Sequence, residues 1–173
     1  MRSTLILALA FSAAAAPLAA QTTFDPHRNQ AIGGLAGLAS GSGLSYQEIY
    51  PSAYGYRGAL ALWKAGDTFF LNTGVSGLRI LTDDGRQRVY LVGSLSYWRH
   101  TEETSRPIFD ENDNVTGERV FDDVDDSWSI GLGTGIELPV GTRTAISLEA
   151  LFTYWTQSGN VLPLPQIGLQ YQF

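Results

Sequence analysis

Leu164-Pro165-Gln166-Ile167-Gly168-Leu169-Gln170-Tyr171-Gln172-Phe173 closes the chain, and its alternation decides the fold. Ile167, Leu169, Tyr171 and Phe173 fall on one face of an extended strand. Gln166, Gly168, Gln170 and Gln172 fall on the other. A period of two is the strand period, not the helical one. In a soluble sheet the apolar face meets a core and the polar face meets water. In a membrane barrel the apolar face meets lipid and the polar face lines the lumen.

The same period runs backward through the chain. In 144–155, Ile146, Leu148, Ala150, Phe152 and Tyr154 oppose Ser147, Glu149, Leu151 and Thr153. In 127–138, Trp128, Ile130, Leu132 and Ile136 oppose Ser129, Gly131, Gly133, Gly135 and Glu137, and the small residues suit a narrow interior. In 89–98, Val89, Leu91, Leu95 and Tyr97 are expected toward lipid, with Tyr90, Val92, Ser94, Ser96 and Trp98 inward. Segments 68–81, 56–63, 44–49 and 31–39 complete eight strands; the last two are the least regular. The expected fold is therefore all-β, an eight-stranded antiparallel up-and-down transmembrane barrel spanning 31–173.

Connector lengths fit that topology. At one end they are short: 51–54, 83–86 and 139–142. At the other lie 40–43, 64–67, 99–126 and 157–163, which include the single long one. Asp84-Gly85 predicts a tight type I′ hairpin. An even strand count puts both termini on the short-turn side, as in outer-membrane barrels. Strand lengths approach the roughly 9–11 residues that a tilted crossing needs. Tyr50, Tyr54, Tyr56, Trp63, Tyr97, Trp98, Trp128, Tyr154, Trp155 and Tyr171 sit near strand ends, where amphipathic rings favour the headgroup region.

The first residues read as a targeting segment. Met1-Arg2 is followed by an uncharged run from Leu5 to Ala16 and small residues up to Ala20. That is the pattern of a secretory signal peptide, here 1–20, followed by a polar periplasmic lead-in at 21–30. The run is shorter than the roughly 20 apolar residues of a spanning helix. The chain has no cysteine, which excludes disulfides and thiolate metal sites. Its net charge of -6 without a basic cluster argues against nucleic-acid binding.

The closing Gln170-Tyr171-Gln172-Phe173 resembles the C-terminal sorting signal of bacterial outer-membrane barrels. From about residue 31 the chain resembles the small OmpA/OmpX-type eight-stranded barrels in pattern rather than in residue identity. The resemblance implies Gram-negative outer-membrane localisation. It also implies that Tyr171 and Phe173 are recognised by the barrel assembly machinery. Membrane lipid and lipopolysaccharide are the implied surroundings, and a monomer is expected.

Three inward positions carry charge: Arg57, Glu137 and Glu149. Burying a charge is costly without a partner, so Arg57 is expected to pair with Glu149 or Glu137. The segment 99–126 holds ten acidic residues of the chain's seventeen and three arginines. Apolar pairs around Asp110-Glu111-Asn112-Asp113-Asn114 suggest a hairpin that prolongs two strands. Asp110, Asn112 and Asn114 resemble the start of an EF-hand loop. Val115 and Phe121 then break the pattern, which leaves only a weak cation contact, with Asp122, Asp123, Asp125 and Asp126. No cofactor and no structural metal is expected. His100 with Glu102, Glu103 and Ser105 is a poor acid–base cluster, so no catalytic role is expected.

The leading expectation is an integral outer-membrane barrel with a structural or surface-interaction role through its acidic external loop, the extracellular partner being unknown. The alternatives are a narrow solute or ion channel, a lipid A-modifying barrel enzyme, and a soluble periplasmic ligand-binding barrel. In the soluble barrel Ile146, Leu148, Phe152, Ile167 and Leu169 would point into a core.

Overall fold

The computed structural model describes residues 29–66, 68–109 and 115–173, at 103–109 and 115–122 for the backbone alone. The expected signal peptide and residues 21–28 of the lead-in lie outside the described residues. Eight strands follow in chain order: β1 Gln30–Ala36, β2 Gly43–Ile49, β3 Tyr54–Ala65, β4 Thr68–Asp83, β5 Arg88–Phe109, β6 Val115–Pro139, β7 Thr144–Trp155 and β8 Val161–Gln172. Each pairs antiparallel with the next, and β8 returns to β1 to close an up-and-down barrel.

Alternation sorts the inside from the outside. On β8, Gln166, Gln170 and Gln172 are buried inward, while Ile167, Leu169 and Tyr171 look out. On β6 and β7, Leu132 is 68% exposed and Phe152 is 67% exposed, whereas Glu137 and Glu149 are buried. Apolar outside and polar inside is the arrangement of a transmembrane barrel. It overturns the soluble alternative, whose core residues Phe152, Ile167 and Leu169 are exposed here. Exposed aromatics mark both rims of the belt: Tyr50, Tyr54, Tyr56 and Tyr171 at the short-turn end, and Trp63, Trp128 and Tyr154 at the other. Trp98 does not join them. Its indole Nε1 is buried, because Trp98 shares the inward parity of Ser94 and Ser96, and it finds no hydrogen-bond partner among the described residues.

Three local details depart from the sequence expectation. First, β1 stops at Ala36 rather than at 39. Residues 37–42 fold into the lumen, where Ala39 and Ser40 are buried. Second, β8 begins at Val161, three residues before Leu164. Third, the 84–87 turn is not type I′. That turn needs two positive φ values, and here only Gly85 has one, at 79°. Asp84 serves the turn through its side chain instead. Its Oδ1 accepts hydrogen bonds from the backbone N–H of Gln87 at 2.8 Å and of Arg86 at 2.9 Å.

At the end opposite the short turns, β5 and β6 outrun their neighbours. The β4–β5 ladder stops at Thr68↔Glu102, and the β6–β7 ladder at Ser129↔Trp155. The β5–β6 pairing continues to Phe109↔Val115. A two-stranded ribbon therefore stands beyond the barrel wall, about 24 Å long at roughly 3.4 Å per residue.

Candidate functional site

Two regions could carry function: the filled lumen and the projecting ribbon. The lumen is organised around Arg57, which β3 aims inward and which is 1% exposed. Its Nη1 donates to Glu149 Oε1 at 2.5 Å, its Nε to Gln47 Oε1 at 2.9 Å, and its Nη2 to Tyr90 Oη at 3.2 Å. Tyr90 Oη in turn donates to the same Glu149 oxygen at 2.7 Å. Glu149 is thus held by a cation and a phenol from strands lying across the lumen.

Glu137 belongs to a second layer, nearer the short turns. Arg88 Nη1 donates to its Oε2 at 3.2 Å and Gln172 Nε2 to its Oε1 at 2.9 Å. Arg88 Nε also donates to Asp83 Oδ2 at 2.8 Å. Gln47 joins the two layers, because its Nε2 donates to Glu137 at 3.3 Å while its Oε1 accepts from Arg57. The two buried arginines therefore face two buried glutamates. Burial of an ion in low dielectric costs several kcal/mol, and only this degree of pairing offsets it.

Arg88, Gln47, Tyr90 and Gln172 were not singled out from the sequence as site residues. Arg88 lies one residue before the 89–98 segment. Its parity with Tyr90 and Val92 is the signal that extends the inward face to include it.

Above these layers Leu78, Tyr90, Val92, Leu151 and Ala39 form a small apolar plug. Loop 37–42 then caps the lumen from the ribbon end. Ser94 Oγ donates to the Ala39 carbonyl at 2.9 Å, Ser40 Oγ to Gln166 Oε1 at 2.8 Å, and the Ser42 N–H to Asn72 Oδ1 at 2.6 Å. The loop fits because Gly74 has no side chain: a Cβ there would lie 2.4 Å from the Ser40 carbonyl oxygen. Gly41, with φ at 90°, meets the backbone of Gly74 from the other side.

On the ribbon, Asp110, Asn112 and Asn114 lie outside the described residues, as does the side chain of Asp122. Asp123, Asp125 and Asp126 are exposed. Asp125 and Asp126, adjacent on one strand, project to opposite faces. Asp125 accepts from Gln157 and Asp126 from Tyr97, each at 3.3 Å. Among the described residues no group of three or more acidic or histidine side chains is placed to hold a metal. His100 stands at the rim with its Nε2 4.0 Å from Glu102. Tyr171 and Phe173 are exposed at the short-turn end, and the Phe173 N–H donates to the Gln30 carbonyl at 3.0 Å.

Comparison with known proteins returns structures alone. No protein-family model and no curated protein matches the chain. The backbone structure of the Yersinia pestis outer membrane protein Ail in a phospholipid bilayer nanodisc is similar at 14% identity and TM-score 0.43, over 83% of this chain and 97% of that one. The crystal structure of Yersinia pestis Ail, the attachment invasion locus protein, gives 13% identity and TM-score 0.45, over 84% and 95%. Ail in complex with the heparin analogue sucrose octasulfate gives 11% and 0.40, over 84% and 95%.

Proposed function

We propose that this eight-stranded barrel, whose architecture is that of the small OmpA/OmpX-type proteins, is an integral outer-membrane protein that presents its acidic β5–β6 ribbon to an external partner. The observation that carries this reading is the ribbon itself. It extends beyond both flanking strands and leaves one edge of β6, from Val115 to Ser127, without a neighbouring strand among the described residues. It also lies in the segment holding ten acidic residues and three arginines. Long connections face outward and short turns face the periplasm in such barrels. A surface of that charge attracts cationic ligands and repels polyanions. The partner is therefore a cationic surface or peptide, and the role is non-catalytic.

Export by a cleaved signal peptide and assembly through the exposed Tyr171 and Phe173 belong to the same proposal, as does a monomeric barrel in lipid and lipopolysaccharide. The paired charges of the lumen serve the wall rather than transport.

Because the chain has no cysteine, single cysteines report topology cleanly. Asn112→Cys should react with a membrane-impermeant maleimide on intact cells, and Gly85→Cys only after the outer membrane is permeabilised. Cells carrying the protein should adhere to a polylysine surface, and neutralising the ribbon's acidic residues should remove that adhesion. Labelling in the reverse order, or adhesion indifferent to the neutralised ribbon, would defeat the proposal.

A further inference from the structure

The barrel wall is incomplete on one side. β1 and β2 have 7 residues each, whereas β3 and β8 have 12. The β1–β8 ladder ends at Ala36↔Ile167, yet β8 continues to Val161. The β2–β3 ladder ends at Leu44↔Leu60, yet β3 continues to Ala65. Among the described residues no strand stands between 161–166 of β8 and 61–65 of β3. The chain that would have continued there, 37–42, has turned into the lumen.

Backbone alternation decides what can fill that gap. The Phe173 N–H donates to Gln30 and the Gln172 N–H to Arg143, so odd-numbered β8 residues aim their main-chain groups at the β1 side. The β7–β8 register is unbroken from Tyr171 to Val161, so the same parity holds to the end of the strand. Pro163 and Pro165 therefore place their nitrogens on the open edge, and neither carries an N–H. A strand from a second chain would find no donor at two successive bonding positions. The same absence removes donors that hydrocarbon could not satisfy.

The outer surface below the gap is correspondingly bare. Gly34 and Ala36 leave a furrow of about 610 Å³ flanked by Ile167 and Leu169. At the gap lies a second hollow of about 280 Å³, lined by Leu38, Leu162, Leu164 and Trp155, with Gln157 and Ser158 at its polar rim. A partner that is apolar, thin, extended and free of hydrogen-bonding demands fits both hollows.

We propose that the β1–β8 seam is a lateral docking site for one acyl chain of a membrane lipid, with the chain in the Gly34–Ala36 furrow and the headgroup linkage beside Gln157 and Ser158. The inference rests on the barrel's lying in a bilayer, and heat-dependent gel mobility of the same samples tests that premise separately. The mature chain, reconstituted in dimyristoylphosphatidylcholine nanodiscs, would be released in the gas phase and weighed. The folded barrel should retain a single lipid. Gly34→Leu should lose it without unfolding, since a Cβ at 34 meets nothing closer than the Gly43 carbonyl oxygen at 3.9 Å. Ala36→Leu, a second way to fill the furrow, should lose it as well. Gly77→Leu, on the outer face of β4, should keep it. Equal retention by all four proteins overturns the proposal, and so does a wild-type mass showing a second copy of the chain in place of the lipid.

Discussion

The two halves of the lumen are filled by opposite strategies. Toward the short turns, long charged side chains from β3, β5, β6 and β7 pair inside the barrel: Arg57 with Glu149 across the lumen, and Arg88 with Glu137 between the neighbouring strands β5 and β6. Toward the ribbon, the space is taken by small hydroxyls and by a piece of backbone, loop 37–42, held through Ser40, Ser42, Ser94 and Asn72. The difference teaches where the wall is locked and where it can open. A charged pair cannot lose one member cheaply, because the survivor is left in low dielectric. A loop seated by neutral hydrogen bonds can leave into water, and each such bond is worth little net.

The largest effect should come from breaking the locked half. Glu149→Leu leaves Arg57 buried without its carboxylate and should cost about 3–5 kcal/mol. Replacing both residues, Arg57→Met with Glu149→Leu, should restore most of that loss. Urea unfolding in vesicles, followed by gel mobility, measures both. Additive losses in the double variant would show that the two groups do not act as a pair, and the contrast between the halves would fall with them.

Next comes the loop's seat. Gly74→Val puts a Cβ where the Ser40 carbonyl oxygen lies, at 2.4 Å, and backbone cannot yield as a side chain can. Loop 37–42 should be expelled at a cost of about 1–3 kcal/mol, the range for overpacking. Hydrogen exchange at the Ser42 N–H, which donates to Asn72, should become fast while the amides of β7 stay protected. Fast exchange in both places would mean that the two halves are one cooperative unit. Smaller again is Ser94→Ala, which removes one donor to the Ala39 carbonyl. It should cost about 0.5–1.5 kcal/mol. A loss as large as that of Glu149→Leu would erase the contrast.

This division also marks what could be read from sequence. The wall was legible because β6, β7 and β8 keep a strict period of two, and a polar–apolar alternation has few folded solutions. The closeness of Arg57 and Glu149 followed from parity plus the cost of a lone buried charge. The second layer was not legible: Gln47, Arg88 and Gln172 share a level only once the strand tilt and register are known. Loop 37–42 was hidden for a different reason. Ser40-Gly41-Ser42-Gly43 has the composition of a surface turn, and its burial depends on Gly74, a residue more than thirty positions away. The seam gap was hidden likewise. Pro163 reads as the end of the 157–163 connector until β7 pairs with it at Phe152, and only that pairing sets it on the same open edge as Pro165.

The smallest effect sharpens the comparison from outside the lumen. Asp84 is a carboxylate in water at the short-turn end, where hydrogen bonds from the Gln87 and Arg86 backbone hold its carboxyl below the usual carboxylate range. A depressed folded-state pKa contributes stability that is present above the unfolded value, about 3.9. That contribution is lost as pH falls through the lower folded value. Asp84→Ala should therefore lower the urea midpoint at pH 7, and the gap between the two proteins should narrow progressively as the pH falls below the unfolded value. Glu149→Leu should behave differently, because its main cost is an arginine stranded in the lumen, and that residue stays charged across the same range. A gap for Asp84→Ala that does not narrow on acidification would show that the turn is held by chain geometry alone and that its capping hydrogen bonds contribute nothing.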